Sequence, residues 1–200
     1  LGVPVKEKQI KLVVPPDATL AARALLRGTG IGPECAYIAL VPGASCSARR
    51  YQAERFLMVG SLLSARLGWP AIALGTRREE ASFSPLLPPG MTGLFGRTSV
   101  PDLAALIEGA SFVVCNNSAA LHLAEAFSRP VLAFYAGTDL EEQWRPRTSP
   151  SLLLRKDTDC APCYRFQCPY DAACLDIDPE EAVDLALKLL DHRDTKEAAL

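Results

Sequence analysis

Phe112-Val113-Val114-Cys115-Asn116-Asn117-Ser118-Ala119-Ala120-Leu121-His122-Leu123-Ala124 is the stretch on which the fold turns. Phe112 to Cys115 is apolar throughout, as in a strand buried on both faces, and the chain then passes through two asparagines directly into a helical pattern. Apolar runs at Tyr37 to Val41, Ala71 to Leu74, Val131 to Tyr135 and Leu152 to Leu154 predict four more strands of the same kind, none of them alternating. Between them, Phe56, Val59, Leu63 and Leu67 recur at helical spacing. So do Leu103, Leu106, Ile107 and Ala110, and then Val183, Ala186, Leu187 and Leu190. Ser99 before Pro101 and Asp102, and Asp178 before Pro179, Glu180 and Glu181, are helix-start signals, and Ser118 stands where it would cap a third helix. Strands alternating with helices predict the α/β class, a parallel sheet with helices on both faces.

The chain has 200 residues, 49% hydrophobic and 22% charged, enough to bury a sizeable core. With 21 Lys and Arg against 23 Asp and Glu, its net charge of −2 gives no broad attraction to nucleic acid, which is not an expected partner. Any anionic ligand has to be held locally. Every apolar run falls well short of the ~20 residues of a spanning helix, and the first residues lack a signal-peptide core, so the cytoplasm is the expected compartment. Residues 1–35 read as a lead-in or interdomain connection, with an extended Ile10 to Val14, a stop at Pro15 and Pro16, and a helix from Ala18 to Arg27. Residues 36–192 read as one domain and 193–200 as a polar tail that frays. A start at Leu1 rather than Met points to a piece of something longer.

Ligands of open α/β sheets bind beyond the carboxyl ends of the strands, so the residues after each apolar run are the candidates. After the first run comes Pro42-Gly43-Ala44-Ser45-Cys46-Ser47-Ala48-Arg49-Arg50, small residues that admit close backbone approach, followed by two guanidinium groups that can fork onto phosphate. A turn with solvated arginines would read the same way. Beyond Cys115, free N–H groups at a helix start suit a diphosphate, and Ser118 and His122 share a helical face. The plainer alternative makes Asn117 and Ser118 caps and His122 a core hydrogen-bonder. After Tyr135, Ala136-Gly137-Thr138-Asp139 is a polar turn that either meets the ligand through a hydroxyl and a carboxylate or simply opens the next helix.

These segments together resemble the C-terminal half of the ADP-heptose:lipopolysaccharide heptosyltransferases, glycosyltransferase family nine. The family's Asn-Pro-Gly-Ala-Ser loop is matched by Val41-Pro42-Gly43-Ala44-Ser45, with Arg49 and Tyr51 where the family has Lys and Trp. Its Asp-Ser/Thr-Gly-x-x-His-Leu-Ala motif is matched by Asn117 to Ala124, and its Gly-Pro-Thr-Asp turn by Ala136 to Asp139. The resemblance implies a Rossmann-like domain, one half of a GT-B glycosyltransferase, that binds a nucleotide-sugar donor such as ADP-heptose. It implies Ser45, Arg49, Ser118 and Ala119 at the phosphates, His122 at phosphate or sugar, and Thr138 and Asp139 near the diphosphate or sugar hydroxyls. It further implies Glu79 facing the nucleotide, and Asn117 where the family carries Asp. Arg and a helix start aimed at the leaving diphosphate would stabilise developing charge without a metal or cofactor. The partners implied are an N-terminal acceptor domain that supplies the catalytic base and a lipid-linked saccharide at the inner face of the bacterial inner membrane. No transfer is then expected from these 200 residues alone. Asn117 for Asp and Ala119 for Gly keep two alternatives open: a non-catalytic nucleotide-sugar-binding or regulatory module, and a sugar-nucleotide epimerase of the same architecture.

Of seven cysteines, four form Cys160-x2-Cys163-x4-Cys168-x5-Cys174, which also resembles the family's cysteine segment. That spacing could close a structural zinc site, or the loop could pack with reduced thiols or form disulfides. Zinc is not favoured, because the family's chemistry does not need it.

Overall fold

The structure, a computed structural model, describes residues 10–197, with side chains described for 10–191. Among these residues, β1 (Ile38–Val41), β2 (Ala71–Ala73), β3 (Thr92–Gly93), β4 (Phe112–Asn116), β5 (Val131–Phe134) and β6 (Ser151–Leu154) form one sheet in the order β3-β2-β1-β4-β5-β6. Every pairing is parallel, and Ile38 stands in register with both Ala71 and Phe112. The helices are α1 (Pro16–Gly28), α2 (Ala53–Leu67), α3 (Arg77–Phe83), α4 (Val100–Gly109), α5 (Ala119–Ala126), α6 (Glu141–Trp144) and α7 (Pro179–Glu197).

In β1, β2, β4 and β5 the continuous apolar runs follow from burial on both faces, because successive residues of a strand point to opposite sides; β6, expected to be the same, is only half-buried because it forms the edge of the sheet. Ile38, Leu40, Phe112, Val114, Leu132 and Phe134 join one core layer with Phe56, Leu63, Val183, Ala186 and Leu190 from α2 and α7. Ala39, Val41, Val113, Cys115, Val131 and Ala133 join the other with Leu106, Ile107, Leu121 and Ala124 from α4 and α5. Each fully buried Ile, Leu or Phe of these layers contributes about 1.5–3 kcal/mol of transfer free energy.

The expected lead-in helix is α1, and it lies on the sheet domain itself. Ala18, Ala22 and Leu26, four residues apart, are buried, and α1 packs along α4. Residues 1–9 of the expected lead-in and 198–200 of the expected tail lie outside the described residues, whereas 193–197 continue α7.

Two helix starts are built as their sequences predict. Ser99 accepts the Asp102 N–H while the Asp102 carboxylate accepts the Ser99 N–H at 2.8 Å and its hydroxyl at 2.7 Å. Asp178 accepts from the N–H groups of Glu180 and Glu181. The cap expected of Ser118 differs: it occupies the N-cap of α5, yet its hydroxyl makes no capping bond and has no partner among the described residues. The strand β3 was not predicted, because two residues, one of them Gly93, make no apolar run. It is held by Ile72 and Ala73 of β2 and extended by the Leu94 N–H donating to the Ala73 carbonyl at 2.8 Å.

Candidate functional site

The strand order reverses between β1 and β4, and at such a switch point the segments leaving adjacent carboxyl ends diverge to open a crevice. A cleft of about 690 Å³ lies there. Ser45, Arg49, Glu79, Asn117, Ser118, Ala119, His122 and Asp139 all line it. Thr138 does not. It is buried behind the cleft, and its hydroxyl accepts from Arg49 Nε at 3.0 Å and donates to Asp139 at 2.8 Å. Thr138 therefore positions those two side chains rather than presenting its hydroxyl to a ligand.

Arg49 stands at the end of a single 3-10 turn, Ser47–Arg49, and is held at three points. Besides Thr138 it donates to the Ser45 hydroxyl at 3.3 Å, and it pairs with the Asp139 carboxylate at 2.6 Å. Asn117 completes the group: its Nδ2 lies 3.4 Å from Asp139, and its Oδ1 accepts the Ala136 N–H at 3.3 Å. A carboxylate in place of Asn117 would face Asp139 with like charge, so the amide suits the Arg49–Asp139 pair.

Across the cleft, α5 presents its first turn. Ala119 is exposed, and the N–H groups of Ala119 and Ala120 belong to the turn that has no intrahelical acceptors. His122, one turn further on, is half-buried with its ring 5.9 Å from that of Trp144. Its imidazole has no hydrogen-bond partner among the described residues, unlike the core hydrogen-bonder of the plainer reading. Glu79 does double duty: one carboxylate oxygen accepts from the Thr76 N–H at 2.7 Å and hydroxyl at 2.8 Å, capping α3, while the other lies against Gly43. A Cβ at Gly43 would collide with it, so this glycine is what lets the loop after β1 approach α3.

Asn116 was not singled out from sequence, yet it fixes the loop that carries Ser45 and Arg49. Fully buried at the end of β4, it donates to the Pro42 carbonyl at 2.7 Å and accepts the Tyr51 N–H at 3.1 Å, clasping the loop at both ends. Tyr51 is anchored again by stacking on Phe134 at 3.9 Å and by donating to the Ile177 carbonyl at 2.6 Å; burial pushes its phenol up to about 12.

The cysteine loop braces the same site from behind. The N–H groups of Cys163 and Tyr164 donate to the carbonyls of Gly137 and Thr138 at 2.8 and 3.0 Å, and Cys174 Sγ accepts the Gly137 N–H at 3.4 Å. On its other side the Phe166 carbonyl accepts from the Ala48 N–H and the Ser47 hydroxyl, both at 3.2 Å. One loop thus ties the turn bearing Arg49 to the turn bearing Asp139. A Cβ on Gly137 would come within 2.9 Å of Ala161, which explains the glycine. Cys160, Cys163, Cys168 and Cys174 line a second cavity, and all are free. Among the described residues no group of three or more His, Cys, Asp or Glu side chains is placed to hold a metal ion.

Comparison with known proteins gives the family and the fold. The family model of glycosyltransferase family 9 (heptosyltransferase) matches residues 1–173. A curated Escherichia coli lipopolysaccharide heptosyltransferase 3 is 27% identical over 151 residues, 73% of this chain and 44% of that protein. The crystal structure of a family 9 glycosyl transferase from Veillonella parvula matches with a TM-score of 0.76 at 18% identity, over 90% of this chain and 53% of that one. The E. coli ADP-heptose LPS heptosyltransferase II structure matches with a TM-score of 0.72 at 19% identity, over 92% and 54%. The six-stranded parallel sheet is thus the fold of the GT-B heptosyltransferases, and the chain spans about half the length of the relatives it matches. The family match covers most of the chain and includes the loops after β1, β4 and β5, and so the chain belongs to glycosyltransferase family 9, the heptosyltransferases.

Proposed function

We propose that the chain is the donor-binding part of a glycosyltransferase that acts in lipopolysaccharide core or related envelope polysaccharide synthesis, and that its cleft takes an ADP-heptose-like nucleotide sugar. The observation that carries this reading is the juxtaposition, across one cleft, of the Arg49 guanidinium and the unpaired first turn of α5. A cation and a helix N-terminus facing one another suit a diphosphate, and both would stabilise it as it leaves with developing negative charge. Arg49 with Ser45, and the Ser118 and Ala119 amides, take the phosphates; Asp139 and His122 meet the sugar; Glu79 and its neighbours at the start of α3 face the nucleoside. The similarity to a protein named for ADP-heptose supports that donor.

The two carboxylates that line the cleft are both engaged, Glu79 with Thr76 and Asp139 with Arg49 and Thr138. A general base from outside these residues, on an acceptor domain, fits that arrangement, with a lipid-linked saccharide as the acceptor and the cytoplasmic face of the membrane as the place of reaction. No helix of the described residues is long and apolar enough to cross a membrane. Neither a metal nor a cofactor is required in this scheme. Asn117 in place of the family's Asp favours a second reading, a nucleotide-sugar-binding module without transfer, which turnover of an ADP-sugar by the longer protein would reject.

Isothermal titration of the chain with ADP, ADP-sugars and UDP tests the reading. ADP and an ADP-sugar are expected to bind, and Arg49→Ala to weaken both by about tenfold or more. A folded chain that takes up neither, or binding indifferent to Arg49→Ala, contradicts it.

A further inference from the structure

Four buried polar side-chain atoms lack a hydrogen-bond partner among the described residues, and two of them, Ser118 Oγ and Tyr135 Oη, belong to side chains that line the same cleft. Buried hydroxyls are almost always paired, so two orphans at one cleft mark a place where a ligand completes the bonding. Ser118 lies in the motif already assigned to the phosphates. Tyr135 lies outside every motif used above.

Tyr135 directly follows β5, where its N–H donates to the Leu154 carbonyl at 2.9 Å. Its side chain is wholly buried in the core layer that contains Val41, Cys115 and Leu121, so the ring has no freedom to seek a partner elsewhere. Asp139, Glu141, Arg49 and Arg155 are the charged groups that act on its phenol, and none of them hydrogen-bonds to it. Burial, reinforced by the two carboxylates, pushes the phenol up to about 12, so it keeps its proton at neutral pH. A protonated, immobile hydroxyl beside Arg49 is a donor waiting for an acceptor.

We propose that Tyr135 is a further donor to the diphosphate, its hydroxyl bonding an anionic phosphate oxygen of the nucleotide held between Arg49 and the start of α5. The inference rests on the donor-site reading and adds a residue to it. Because the hydroxyl is prealigned by a packed ring, it needs no reorganisation when charge builds on the leaving diphosphate.

The test is Tyr135→Phe in the same chain, with two readouts. Without ligand the variant is expected to melt at or above the wild-type temperature, since no protein hydrogen bond is lost. With ADP its affinity is expected to fall about tenfold or more, as for loss of a hydrogen bond to a charged group. Equal ADP affinity in the two proteins overturns the role of Tyr135 and leaves the donor site standing. A lower melting temperature or a failure to fold also overturns it, because the hydroxyl then has a partner within the protein. A wild-type chain that binds no ADP overturns both the donor site and this addition to it.

Discussion

Replacing Asn116 by Leu removes the clasp on the loop from Pro42 to Tyr51 while nearly preserving side-chain volume, so water gains little room to substitute. Two backbone groups lose their partner in a fully buried site: the Pro42 carbonyl, now bonded at 2.7 Å, and the Tyr51 N–H, bonded at 3.1 Å. Each orphaned group costs about 1–3 kcal/mol, so the variant is expected to lose about 2–6 kcal/mol. For a chain of this size that lowers the melting midpoint by roughly 5–20 °C. Urea melts followed by circular dichroism give the free-energy difference directly. The loop carries Ser45 and Arg49, so ADP affinity at a temperature where Asn116→Leu is fully folded should also fall, although Asn116 does not line the cleft. A variant with the wild-type midpoint and wild-type ADP affinity would refute the role given to Asn116.

Tyr51→Phe removes the 2.6 Å bond to the Ile177 carbonyl, leaves that carbonyl the Arg55 guanidinium at 3.3 Å and keeps the stack on Phe134; a loss of about 0.5–1.5 kcal/mol in urea melts is expected, and no loss would mean that Arg55 alone satisfies the carbonyl. Gly137→Val drives a branched side chain into Ala161 and should destabilise by about 1–3 kcal/mol while raising the reactivity of Cys163 and Cys174 to a thiol reagent; unchanged melting and labelling would argue against the bracing loop. Ser99→Ala should cost about 1 kcal/mol near neutral pH through the lost cap of α4. The Ser99 bonds hold the Asp102 carboxyl below its ordinary value, so their stabilisation is complete above the unfolded-state pKa of about 3.9 and is lost as pH falls through the lower folded value. The gap between wild type and Ser99→Ala in thermal melts should therefore narrow below about pH 3.9, and a gap that widens there would contradict the cap.

β1, β2, β4 and β5 were readable because they are buried on both faces, which leaves an uninterrupted apolar run in the sequence; β6, half-buried at the sheet edge, was readable because its leucines pack against both core layers, whereas β3 carries two pairings and no apolar run. The loops of the site were readable for a topological reason, since residues after buried parallel strands meet at one end of the sheet. Individual roles were harder to read. Thr138 and Asp139 are adjacent, yet one is turned behind the cleft and the other into it, a choice set by the Arg49 fork and the cysteine loop. Glu79 looked like a nucleotide contact and is also the cap of α3, because a carboxylate three residues after Thr76 is within reach of its N–H. Asn116 was invisible because its partners are 74 and 65 residues away. Tyr135 was hidden for the opposite reason, since an aromatic residue ending an apolar strand reads as core and only the contacts around its hydroxyl distinguish it.

A crystal structure of the chain with ADP is the most direct measurement. It should show the diphosphate about 2.7–3.2 Å from the Ser118 and Ala119 N–H groups and from the Arg49 guanidinium, across the mouth between β1 and β4. Nucleotide bound elsewhere, with Arg49 paired to Asp139 alone and the first turn of α5 untouched, would contradict the donor site.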